Sequence, residues 1–129
     1  MNVKLLRKIA KYILAEPKRL YMSSYIHTKE QGAHVIERPF AKCGTVACIA
    51  GWACILTIKR PPLEIWREFS IGDEAKDILG LSTKEAFRLF EPGAWPVEFS
   101  SGTSDDGKLN TAKVAIARIN HFIRTKGKE

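Results

Sequence analysis

The sequence predicts an all-α or nearly all-α protein: a single compact domain of about five or six helices around a buried central helix. Three observations point there. The stretch from Cys43 to Leu56 carries no charge, all three cysteines and one of the three tryptophans. The two ends of the chain each hold a segment with apolar residues at helical spacing. Between them, Pro17, Pro61-Pro62, Gly80, Ser82 and Pro92-Gly93 cut the chain into helix-sized pieces. At 129 residues, 45% hydrophobic and 27% charged, the chain suits one globular core, so residues 1–129 form one domain without internal repeats.

The first helix is expected from about residue 3 to 15. Leu6, Ile9, Ala10 and Ile13 form its inner stripe, Lys4, Arg7, Lys8 and Lys11 its outer one, and Pro17 ends it. Leu20 to Ile26 suggests a short helix packing back on the first. Residues 27–42 read as a long connection, with a short strand over His34–Glu37. The central helix is expected over Val46–Ile58, capped by Thr45. Ala47, Gly51 and Cys54 fall on one small-residue face that invites close approach by a neighbouring helix. Gly51 costs about 1 kcal/mol of helix propensity, for which close packing is the usual compensation.

Pro61-Pro62 stop that helix and start another, with Leu63, Ile65, Trp66 and Phe69. Ile71, Ala75, Ile78 and Leu79 mark the next, with Gly80 at a left-handed C-terminal position. Ser82 and Glu85 have capping-box spacing and open a helix with Ala86, Leu89 and Phe90 inside. Residues 91–107 read as a loop pinned by Trp95, Val97 and Phe99, with a solvated, mobile tract over 100–107. Asn110 or Thr111 caps the last helix, whose inner stripe is Ala112, Ala115, Ile116, Ile119, Phe122 and Ile123.

Net charge is +7, and its placement is uneven. Residues 1–20 hold six basic and one acidic side chain, as do residues 108–129, giving +5 at each end; residues 21–107 hold nine basic and twelve acidic, giving −3. If the terminal helices pack side by side, they make one positive face. Lys4, Arg7, Lys8, Lys11, Lys18 and Arg19 would combine there with Lys113, Arg118, Arg124 and Lys126. Such a face suits nucleic acid, a phosphorylated small molecule or nucleotide, or an acidic protein.

The run Cys43-Gly44-Thr45-x-x-Cys48-Ile49-Ala50-Gly51-Trp52-Ala53 resembles the core motif of an uncharacterised family of small bacterial and phage proteins. The opening helix, Leu79-Gly80-Leu81, Trp95-Pro96 and Ala115–Ile123 fit the same pattern. The resemblance implies a stand-alone accessory protein of a bacterium or its phage, and brings no activity with it. The longest apolar run is too short to span a bilayer, and the N-terminus has no secretory apolar region. Three clustered cysteines do not suggest a disulfide framework. A cytoplasmic protein is expected, in the host cytoplasm if phage-encoded, without membrane attachment.

Two sharper chemistries compete with simple binding. Cys43, read as standing just before a helix, has the place of a papain-like nucleophile, with His34 or His121 as base and Glu37 to orient it. The rest of the papain signature is absent. Residues 73–90 look like a helix-turn-helix DNA binder, offering Thr83, Lys84 and Arg88 to base edges. There Ala75 precedes Gly80 by five residues where the motif has four, and Glu85 faces the same way as the basic side chains. The cysteine spacing does not suit a metal, and no cofactor is expected. No glycine-rich phosphate loop is present. A non-enzymatic binding protein using the basic face is the leading expectation.

Overall fold

The computed structural model describes residues 1–31, 41–99 and 109–129. The expected strand at His34–Glu37, the candidate base His34 and the tract 100–107 lie outside the described residues. Within them the chain is mostly helical, with six α-helices and one two-stranded sheet: α1 (Val3–Ala15), β1 (Ile26–Thr28), β2 (Thr45–Ala47), α2 (Ile49–Ile55), α3 (Pro62–Glu68), α4 (Ile71–Leu79), α5 (Thr83–Phe90) and α6 (Leu109–Arg124).

Helix α1 buries Leu5, Leu6, Ile9, Ala10 and Ile13. The Asn2 side chain accepts the Leu5 N–H at 3.0 Å, satisfying one free donor at the helix start. The Asn2 N–H donates to the Leu79 carbonyl at 2.7 Å, so the start of α1 is tied to the end of α4. The terminal helices α1 and α6 pack against each other, as the charge argument required.

The centre differs from the expected single helix. Thr45, Val46 and Ala47 are spent on β2, which pairs antiparallel with β1 through Ile26–Ala47, His27–Val46 and Thr28–Thr45. Helix α2 then covers only Ile49–Ile55 and is capped by Cys48, whose sulfur accepts the Gly51 N–H at 3.5 Å, so Thr45 caps nothing. Thr45 and Val46 are β-branched and suit a pleated strand better than a helical turn. Leu20–Ile26 is not helical either. A single 3-10 turn over Pro17–Arg19 leads, through a bridge from Leu20 to Ala47, into β1.

Helix α2 is buried from Ile49 to Cys54 and touches α1, α3, α4 and α5. Its small face is used for close approach, but by the backbone before β1 rather than by a helix. A Cβ on Gly51 would stand 1.7 Å from the Tyr25 carbonyl oxygen. Cys54 packs inside and its thiol donates to the Ile71 carbonyl at 3.6 Å.

The segments after α2 follow their local signals. α3 begins at the prolines. α4 ends on Gly80 at φ 66, where the Leu81 and Gly80 N–H groups close onto Lys76 and Asp77 carbonyls. The Ser82–Glu85 capping box forms with both of its hydrogen bonds. In the following loop Trp95 is buried and donates to the Leu89 carbonyl at 2.9 Å, and Phe99 stacks near His121. Val97 pins nothing, being 84% exposed. The 3-10 turn Pro92–Ala94 and a turn from Pro96 to Phe99 replace the alternation read from sequence. α6 starts at Leu109, so Asn110 and Thr111 lie inside its first turn rather than capping it.

Candidate functional site

On α1, Lys4, Arg7, Lys8 and Lys11 are all exposed and line one open groove of their own side chains. Their spacing at i, i+3, i+4 and i+7 puts them on one stripe opposite the buried one. None of the four forms an ion pair among the described residues. On the neighbouring α6, Lys113 and Arg124 are exposed too. Lys126, just past α6, lines a hollow with Met1 and Val3 at the start of α1. The end of α6 therefore lies beside the beginning of α1, and the two helices run antiparallel. Lys18 is exposed at the far end of α1.

Two of the predicted face residues are structural instead. Arg118 is fully buried. Its guanidinium pairs with both carboxylate oxygens of Glu129, donates to the Arg88 carbonyl at 2.9 Å and lies 5.5 Å from the Phe122 ring centre. Arg19 stacks 3.7 Å over the Tyr12 ring, pairs with Glu16 at 3.5 Å and donates to the Tyr12 carbonyl at 2.7 Å. Each charge is consumed locally, so neither belongs to a binding face.

Cys43 is exposed, but it does not stand at a helix mouth. It precedes β2, and its thiol donates to the Thr45 carbonyl at 3.5 Å. The cysteine at the start of α2 is Cys48, where burial pushes the thiol up to about 11, away from nucleophilic character. Cys54 is pushed up to about 12 for the same reason. His121 sits 3.0 Å from Glu129 and against Phe99, none of which lines the cleft beside Cys43. The structure thus does not bring Cys43 and His121 together. Among the described residues no three His, Cys, Asp or Glu side chains converge as metal ligands.

The α4–α5 pair is a helical hairpin whose basic readers are mostly unavailable. Arg88 donates to the Gly127 carbonyl at 2.8 Å, and Glu85 is held in the capping box. Thr83 and Lys84 remain exposed beside Phe87.

One feature escaped the sequence. A cleft of about 550 Å³ opens beside Cys43, between the β1–β2 hairpin, Tyr12, α2 and the start of α3. Lys29 and Lys42 line it, brought together by strands only three residues long. No helix is long and apolar enough to cross a membrane. No protein-family model, curated protein or solved structure matches the chain.

Proposed function

We propose that this is a non-enzymatic binding protein that holds the phosphate backbone of a nucleic acid on the outer stripe of α1. The observation that supports it is the exposed set Lys4, Arg7, Lys8 and Lys11, with no ion pair among the described residues to neutralise it. From Lys4 to Lys11 the helix rises about 10 Å, which spans about three phosphates along one strand. Lys113 and Arg124 on α6 extend the positive field sideways. Contacts of this kind fix the polyanion by charge and read no sequence. With the motif around Cys43, the reading is that of a bacterial or phage accessory protein acting in the cytoplasm, of the host if phage-encoded.

The test is fluorescence anisotropy of a labelled short duplex and a labelled single strand at about 50 mM salt. Wild-type protein should bind, and the triple variant Lys4→Glu, Lys8→Glu, Lys11→Glu should not. All three side chains are exposed, so the variant should keep its helical circular dichroism. Absence of binding by the wild type to both probes would refute the nucleic-acid reading and leave an acidic protein as the partner for the stripe.

A further inference from the structure

The cleft beside Cys43 has two chemically different sides. Trp52, Ile55, Pro62 and Leu63 form an apolar wall. Thr28, Lys29, Lys42 and Cys43 lie on the polar one, and no acidic side chain lines the cleft among the described residues. Its volume of about 550 Å³ suits a small molecule rather than a water cluster.

Thr28 supplies the second observation. It lines the cleft, is only 2% exposed, and its Oγ1 has no hydrogen-bond partner among the described residues. A buried hydroxyl left unpaired costs about 1–3 kcal/mol, and such atoms are uncommon unless a ligand or water completes them. The surrounding backbone offers no relief. The Thr28 N–H is already taken by Gln31 at 2.7 Å, and the Lys29 N–H by the Gly44 carbonyl at 3.0 Å. The hairpin is therefore fixed on either side of a hydroxyl that still needs an acceptor.

We propose that this cleft binds a small organic anion, a carboxylate or phosphate monoester carried on an apolar body. The anionic group sits with Lys29 and Lys42 and accepts a hydrogen bond from Thr28, and the apolar part lies against Trp52 and Leu63. The two lysines without a carboxylate in the lining set the sign of the ligand. The Trp52–Leu63 wall requires that it be more than an inorganic ion. The site is independent of the α1 stripe and shares no residue with it.

Cys43, exposed at the same cleft, is a built-in reporter. Its alkylation by iodoacetamide is followed by mass spectrometry in the intact protein while phenyl phosphate or phenylacetate is titrated in. Saturable protection of Cys43 is expected, and the probe that protects at the lower concentration identifies the anion. Benzyl alcohol, which carries the ring without the charge, should not protect. The variant Lys29→Met, Lys42→Met should need about tenfold more probe, the loss of one good charged contact. Both lysines are exposed, so the fold should survive. Thr28→Val, similar in shape, should weaken protection without lowering stability. No protection by either anion at about 10 mM would overturn the proposal. So would equal protection by benzyl alcohol, or unchanged protection in the lysine variant.

Discussion

Gly51→Ala should destabilise this protein, although in an ordinary helix the same change stabilises. The added Cβ would lie 1.7 Å from the Tyr25 carbonyl oxygen and 2.8 Å from both the Tyr25 carbonyl carbon and the Ala47 Cβ. A tolerable carbon–oxygen contact is about 3.3 Å, so the Tyr25 carbonyl must retreat by about 1.6 Å. It is not free to do so. The Ser24 carbonyl beside it accepts the Cys48 N–H at 3.1 Å, and Ile26 is paired to Ala47 in the sheet. Overpacking costs about 1–3 kcal/mol and a lost backbone hydrogen bond about 1 kcal/mol, against a propensity gain of about 1 kcal/mol. The net loss is about 2–3 kcal/mol, read by urea denaturation followed by circular dichroism. Tm should fall by roughly 10 °C. Gly93, with no atom within 4 Å of an added Cβ, is the control, and Gly93→Ala should stay within about 0.5 kcal/mol of wild type. A Gly51→Ala protein as stable as wild type, or more so, would refute the close approach of β1 to α2.

Two further outcomes follow from buried groups. Glu129→Ala leaves the Arg118 guanidinium buried without its carboxylate and should cost about 3–5 kcal/mol in urea denaturation; the double change Glu129→Ala, Arg118→Met should recover much of it. Alkaline pH should destabilise through the inner thiols. Unfolded, they lose protons near their ordinary 9.0, whereas folded Cys48 and Cys54 hold theirs to about 11 and 12. Their contribution is complete below pH 9 and is lost as pH rises, approaching about 1.4 kcal/mol per pH unit for each thiol. Equilibrium unfolding across this range checks it, and Cys54→Ala should reduce the slope.

What was legible in the sequence was what local signals carry. Pro17, Pro61-Pro62, Gly80 and the Ser82–Glu85 pair each act within one helical turn, and the elements they bound appear where expected. The sheet was not legible. Its strands are three residues each, and Thr45-Val46-Ala47 continues an apolar run that periodicity alone cannot divide between strand and helix. That misplacement moved the helix start from Cys48 to Cys43, and with it the argument for a reactive cysteine. Gly51 was read correctly as a close-packing site, though the neighbour is a strand backbone. Arg118 was misjudged because its charge outweighed its position. It stands three residues after Ala115 and four before Phe122, on the inner face, and its partner Glu129 is eleven residues away. The cleft of Lys29 and Lys42 exists only once β1 and β2 pair.

The charge of the α1 stripe is tested most directly by the salt dependence of duplex binding. If Lys4, Arg7, Lys8 and Lys11 each neutralise one phosphate, log Kobs should fall against log salt with a slope of about −3.6. Between about 50 and 200 mM salt the affinity should then drop by about 150-fold. Lys8→Ala should reduce the slope by about 0.9 while the fold is unchanged. A slope near zero, or one that Lys8→Ala leaves unaltered, would show that the stripe does not hold the phosphates and would contradict the proposed function.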